Sequence, residues 1–345
     1  MRIRGYILWL TAILLQVLVG ACSKTAPQEE KKPVGITPTL NGTPSGAFSL
    51  KVASFNVLKP EGRRGEMSME NKTVRTTLGR CITDTKAQLI AFNELDETLI
   101  PSGKYAIPNL CSGLPETWTW RLEWPNSAHA IPPATYSYAN GYAYDSAVLK
   151  EEESGYVWLA KESDTWYTDQ TSAHDNAGSP ARTCVWVRFT HKESGRQFYF
   201  FVSHLPTESQ GGGERMAQNL NRFTAKTAGS LPRVLCGDLN SAPGKNEKPY
   251  SVLKSNWLDA YETVSAAGKI GRYADYPGTQ SGSSKSYYYS IGTFSGGHPE
   301  RRIDHIMTRG ECLASLYEVI TTTYNYDGKP WYPSDHLAIA AVIDF

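Results

Sequence analysis

RVLCGDLNSAP, residues 233–243, runs an apolar stretch straight into an acid and an amide two positions apart. Val234, Leu235 and Cys236 read as the stem of a buried strand, and the polar pair stands at its end. Taken alone, GDLN also reads as a strand closing in an Asx turn, with the aspartate serving only its own backbone. Whether Asp238 and Asn240 do more depends on what else the chain delivers to the same place.

The pattern recurs along the chain. SLKVASFNVL (49–58) reads as a strand whose far end carries Asn56, and AQLIAFNE (87–94) is a continuous apolar run ending at Glu94. QFYFFVSHL (197–205) is a further buried strand, ending at His204. RRIDHIMT (301–308) and HLAIAAVIDF (336–345) supply two late strands, the first centred near Asp304 and the second starting after Asp335 and His336. Between them, Val74, Leu78, Cys81 and Ile82, and then Met216, Leu220 and Phe223, have the spacing of helix stripes packed on a sheet. Strands alternating with amphipathic helices imply an α/β domain, in which strand ends sharing one edge line a ligand cleft. Each polar residue has a plain reading as a turn residue, a solvated acid or a hydrogen-bonded core histidine. Jointly, in this order, those plain readings are an unlikely coincidence.

The first 47 residues read differently. Arg2 and Arg4 precede the apolar run Ile7–Val19, which ends in Gly20 and Ala21 just before Cys22. This resembles a bacterial lipoprotein signal, which implies cleavage before Cys22 and lipidation of Cys22. The run is shorter than the roughly 20 residues of a membrane-spanning helix. Residues 22–47 are rich in Pro, Gly, Ser, Thr and charge without any period, as expected of a flexible tether. Residues 48–345 show no second linker and no internal repeat, so one domain is expected. The remaining cysteines, 81, 111, 184, 236 and 312, form an odd set without CxxC spacing, so at least one stays free.

Thirty-five Lys and Arg against thirty-four Asp and Glu leave a net charge of +1, which lacks the one-sign field of a dedicated polyanion binder. Arg63-Arg64 and Arg301-Arg302 read as isolated, solvated pairs. Trp166, Tyr167, Tyr287–Tyr289, Tyr324, Tyr326, Trp331 and Tyr332 are candidates either for packing or for the rim of a cleft.

SFNV (54–57), FNELDE (92–97), SHL (203–205), CGDLN (236–240), RIDHI (302–306) and SDH (334–336) follow the order and spacing of the endonuclease/exonuclease/phosphatase superfamily. The chain resembles a secreted bacterial branch of that superfamily, which YVWLA (156–160) and Arg182 before CVWVRF also match. The resemblance implies a four-layer α/β sandwich: two packed mixed β-sheets flanked by helices. It implies hydrolysis of phosphoesters with Mg²⁺, or Mn²⁺, held by Glu94, Asn56 and Asp335. Asp238 would orient or deprotonate water, Asn240 would hold a phosphate oxygen, and His336, paired with Asp304, would bind the scissile phosphate. His204 and Arg182 would contact phosphate oxygens.

Three departures stand out: Asn93 where Gln is common, Ala143 where an acid often pairs the SHL histidine, with Asp145 as a shifted substitute, and His305 for an aromatic. The implied partner is a phosphoester, whether small molecule, lipid head group or nucleic acid, with the membrane reached through the lipid anchor and the protein a monomer. A DNA or RNA endonuclease and a non-catalytic binding lipoprotein are the alternatives. Ser23-Lys24 lacks the acidic run of an exported lipoprotein, which points to the periplasmic face of the envelope.

Overall fold

Alternation along the first strand, β1 (Ser49–Asn56), sends Leu50 and Val52 into one buried cluster and Ala53 and Phe55 into another, so the strand is covered on both faces. The computed structural model describes residues 44–58, 71–95, 113–123, 139–159, 182–244, 247–267, 302–322, 324–326, 329–332 and 334–345. All of them lie within the unit Pro38–Phe345.

The helix stripe read at 74–82 forms α1 (Lys72–Asp84), started by Asn71, whose Oδ1 accepts the Thr73 N–H at 2.9 Å. Val74, Leu78, Cys81 and Ile82 cover Phe55, Ile90 and Phe92, and each such buried side chain contributes about 2 kcal/mol. The helix crosses over to β2 (Leu89–Leu95), which pairs parallel with β1. β3 (Trp118–Glu123), β4 (Ala139–Asp145), β5 (Leu149–Trp158), β6 (Thr183–His191) and β7 (Gln197–Ser203) follow. α2 (Gly213–Ala228) then crosses to β8 (Arg233–Asp238), parallel to β7, and buries Met216, Leu220 and Phe223. After it come α3 (Glu247–Lys254), β9 (Leu258–Asp259), α4 (Ala260–Ala266), β10 (Asp304–Arg309), β11 (Leu313–Val319), the hairpin β12 (Tyr324–Tyr326) with β13 (Lys329–Trp331), and β14 (Ile339–Asp344).

Two six-stranded mixed sheets result, in the orders β11-β14-β1-β2-β4-β3 and β5-β6-β7-β8-β10-β9. They pack face to face through Val52, Ala91, Phe200, Val202, Val234, Cys236, Ile306 and Ile339, with α1 and α2 on the outer faces. This is the expected four-layer sandwich.

At one edge the inner faces turn polar without losing their parity. β1 reads Leu50, Val52, Ser54, Asn56; the β7 series reads Phe198, Phe200, Val202, then His204; β8 reads Val234, Cys236, Asp238; β10 begins with Asp304 ahead of Ile306. All four polar end residues are buried.

The structure corrects several expectations. Tyr324 and Tyr332 do not rim a cleft: both are buried, the Tyr324 hydroxyl on Asp84 and the Tyr332 hydroxyl on the Thr321 carbonyl. Arg302 is not solvated but is buried against Asp259 at 2.5 Å and stacked over Tyr261. Trp166, Tyr167, Tyr287–Tyr289, Arg63, Arg64, Arg301, Cys111 and residues 1–43 lie outside the described residues. Cys81, Cys184, Cys236 and Cys312 are free and buried, and burial pushes the Cys81 and Cys312 thiols up to about 12. The domain's hydrogen bonding reaches ahead of Phe48: the Ser45 hydroxyl and the Ala47 N–H both donate to the Phe345 carbonyl, at 3.3 and 2.9 Å.

Candidate active site

The GDLN stretch at 237–240 does form an Asx turn: Asp238 Oδ1 accepts the Asn240 N–H at 2.9 Å, and Asn240 takes a left-handed φ of 47°. The turn uses one carboxylate oxygen and leaves Oδ2 facing inward. Gly237 allows this strand end to exist. Its φ is 145°, and a Cβ there would lie 1.8 Å from the Ser203 carbonyl oxygen, so no side chain fits between β8 and the end of β7.

Across the strands Asp304 is the register partner of Asp238. His336 stands beside both. Its Nδ1 is 2.7 Å from Asp304 Oδ2 and its Nε2 3.7 Å from Asp238 Oδ2. Ser334 sets the position: its Oγ donates to the Asn56 carbonyl at 2.7 Å and accepts the His336 N–H at 3.2 Å. Burial by itself disfavours the imidazolium, but Asp304 and Asp238 outweigh it and raise the His336 pKa well above the ordinary value. Desolvation drives the Asp238 carboxyl up to about 7, with His336 opposing and Asp304 and Glu94 adding to the rise.

Asn56 and Glu94 complete the inner wall. The Asn56 amide Nδ2 donates to Asp238 Oδ2 at 3.0 Å and to Glu94 Oε1 at 3.2 Å, while its Oδ1 accepts the Leu58 N–H. The amide therefore bridges the two carboxylates with its donor side. Strict alternation in β2 would aim Glu94 at α1 alongside Phe92. A φ of 62° and a register break between Phe92 and Leu95 turn it into the site instead. His204 Nε2 lies 3.3 Å from Asp238 Oδ2 and 3.0 Å from Asn240 Nδ2, and that same amide donates to the Leu205 carbonyl.

Among the described residues two sets of carboxylate and imidazole ligand atoms are close enough to share an ion: Glu94, His204 and Asp238, and Asp238, Asp304 and His336. Asp335 belongs to neither set; its Oδ1 lies 4.0 Å from His336 Nε2. A hard divalent cation fits the first set, since Glu94 and Asp238 bring carboxylates together where desolvation already holds the Asp238 proton up to about 7.

Three further residues take part that the sequence reading did not single out as site residues. Asn93 Oδ1 accepts the Asp238 N–H at 2.9 Å, Asn93 Nδ2 donates to Asn140 Oδ1 at 2.7 Å, and Asn140 Nδ2 donates to the Thr183 carbonyl and hydroxyl at 3.2 and 3.1 Å. This buried amide chain ties β2 and β4 of one sheet to β6 and β8 of the other. It also corrects the expected register of β4. Ala143 faces α1, and Asp145, at the other end of the strand, accepts the Ala147 N–H, so neither approaches His204. Asn140 is the β4 position that looks into the site, and its parity with Tyr142 was the available signal.

Arg182 is buried and donates from Nη2 to Gln210 Oε1 at 3.0 Å, beside the amide chain at Thr183. His305 points away from the centre, its Nε2 to the Ser241 carbonyl and its Nδ1 to Asp259, as a packing role requires. Cys22 lies outside the described residues.

A sandwich with paired acids, an amide and a histidine converging at one edge defines a class before any comparison is made. The Endonuclease/Exonuclease/phosphatase family matches residues 53–336, and the chain belongs to that family. Among curated proteins none matches in sequence. Solved structures that share the fold include an endonuclease/exonuclease/phosphatase family protein from Bacteroides thetaiotaomicron, 19% identical, with a TM-score of 0.65 over 86% of this chain and 98% of that one. A mannosyl-6-phosphatase of the same organism is 20% identical, with a TM-score of 0.64 over 86% and 100%. The human Nocturnin catalytic domain with bound sulfate is 16% identical, with a TM-score of 0.51 over 86% and 94%.

Proposed function

We propose that the protein hydrolyses phosphoester bonds with a divalent cation, Mg²⁺ or Mn²⁺, held at Glu94 and Asp238 beside Asn56, with Asp335 close by. The observation that carries this reading is His336 set between Asp304 and Asp238, an imidazolium and a carboxylate facing each other across a gap of 3.7 Å. Asp238 Oδ2, turned inward beside His204 Nε2 and His336 Nε2, is placed to accept a proton from water. The water oxygen bonds to phosphorus, its proton passes to Asp238, and the ester oxygen departs with the bonding pair and takes a proton from solvent. His336 Nε2–H and the Asn240 amide donate to phosphate oxygens, and Asp304 holds the imidazole in the tautomer this needs. His204 and Arg182 add positive charge or donors around the same oxygens. The cation, when bound, supplies charge neutralisation.

The test is a panel of supercoiled plasmid, sphingomyelin, inositol phosphates, nucleotides and sugar phosphates in Mg²⁺ or Mn²⁺. Hydrolysis should stop in EDTA and in Asp238→Ala and His336→Ala. Activity surviving either substitution would remove the assigned roles, and a panel left uncut would favour a binding protein.

The N-terminal pattern supports a second part of the proposal: lipidation at Cys22 and a place in the cell envelope, facing the periplasm. Radiolabelled palmitate should enter the native chain and not Cys22→Ser; equal labelling would reject the anchor.

A further inference from the structure

Asn240 borders a second space. A cavity of about 370 Å³ opens beside it, within the size range of small-molecule pockets. Pro206 and Glu208 from the segment after β7, Glu214 at the start of α2, and Lys248 and Pro249 of α3 line it.

One stretch of its wall is glycine, where a side chain would be strained or tightly packed. Gly211 and Gly212 take left-handed φ values of 72° and 75°, and a Cβ on Gly213 would stand 3.1 Å from Pro249 Cγ. The segment carrying Glu208 is fastened by Gln210, whose Oε1 accepts both the Thr207 N–H at 2.9 Å and Arg182 Nη2 at 3.0 Å. One rigid turn thus connects this cavity to a residue assigned to the phosphate.

We propose that this cavity receives the leaving group of the substrate and that the leaving group is a neutral polyhydroxylated one, a sugar. The inference rests on the phosphoesterase reading above. Charge decides between classes. Among the described lining residues, Glu208 and Glu214 set two carboxylates against one ammonium, Lys248, which already lies 3.6 Å from Glu214. The partial positive charge of about one half at the start of α2 does not reverse that balance. A second phosphate, or the next nucleotide of a strand, would meet net negative charge. Sugar hydroxyls instead donate to the two carboxylates and accept from Lys248, while Pro206 and Pro249 offer apolar surface to the ring.

The test compares leaving groups at a common phosphorus. The full-length protein, purified in detergent with Mg²⁺, is assayed on hexose 6-phosphates, on hexose 1,6-bisphosphates, and on p-nitrophenyl phosphate and bis(p-nitrophenyl) phosphate, whose leaving groups carry no hydroxyls. Glu208→Gln and Glu214→Gln, both at exposed positions, are assayed alongside. The ratio of kcat/KM for sugar phosphate to that for aryl ester should fall about tenfold in the variants, chiefly through KM. An unchanged ratio, a preference for the bisphosphate, or cleavage of aryl esters without any sugar phosphate would overturn the subsite. If the native protein cuts neither aryl ester nor sugar phosphate and also leaves plasmid, sphingomyelin, inositol phosphates and nucleotides uncut, the phosphoesterase reading falls instead. Calorimetric titration with hexose 6-phosphate then judges the cavity: weaker binding in the variants supports it, and absent or equal binding rejects it.

Discussion

Asp304 stands directly opposite Asp238 as its register partner on the adjacent antiparallel strand, and His336 is hydrogen-bonded to the first and 3.7 Å from the second. Two buried acids so placed would repel, and the imidazolium between them is what makes the arrangement stable. With Asp304→Asn, burial regains its hold on His336 and the histidine pKa should drop. Histidine-detected NMR titration of both proteins reads this directly, and phosphoester hydrolysis should fall about 10- to 100-fold with it. A His336 pKa that stays where it is in the variant would show that the pair does not set its charge.

Gly237 carries the strand end past β7 where no Cβ fits. Gly237→Ala must move either Ser203 or Asp238, so we expect a loss of about 3 kcal/mol or more in urea unfolding. A loss below 1 kcal/mol would mean the strands separate easily there.

Asn140 touches no catalytic side chain, yet its removal should be felt at Asp238. Asn140→Ala leaves the Asn93 amide with only the Ser203 carbonyl at 3.4 Å and the Thr183 carbonyl with only the Ser203 hydroxyl at 3.1 Å, at a cost of about 1–3 kcal/mol. Because Asn93 also fixes the Asp238 N–H, kcat should fall while KM holds. Loss of stability with kcat preserved would make Asn140 a residue of packing alone.

The Arg302, Asp259 and His305 cluster predicts an acid limit to stability. Burial opposes the Asp259 carboxylate, but Arg302 and His305 outweigh it and hold the pKa far below the usual range. A depressed folded pKa means the stabilisation is complete above the unfolded value, about pH 4, and is lost as pH falls below it. Urea midpoints measured from pH 7 to pH 3 should decline more steeply for the native protein than for Asp259→Asn. Parallel declines would place the acid sensitivity elsewhere.

The sequence disclosed those strands whose two faces are both covered, because a continuous apolar run has no other use. β2, β7, β8 and β14 are of that kind, β1 shows instead an alternation ending at Asn56, and the stripes of α1 and α2 fall between them. β5 was legible only in part: LKEEESG lies at the sheet's edge with exposed charge, where nothing enforces an apolar pattern. Asp238, His336, Asp304, His204, Asn56 and Glu94 were readable as strand ends, and the structure brings them together. The left-handed turn at Glu94 has no signal in FNELDE, and Asn140 hid in a polar, glycine-flanked stretch. Asp335 was read from its motif, but its carboxylate sits beside His336 and outside the groups that could share an ion.

Ser334 fastens the last loop to the Asn56 carbonyl, and β14 lies between β1 and β11. β1 finds one neighbour early in β2, but its other edge is filled only by β14, near the end of the chain. A chain stopped short of residues 334–345 lacks His336 and leaves a long apolar strand edge exposed. On the proposed mechanism an incomplete copy would lack the phosphate-binding histidine, so activity would require the final strand.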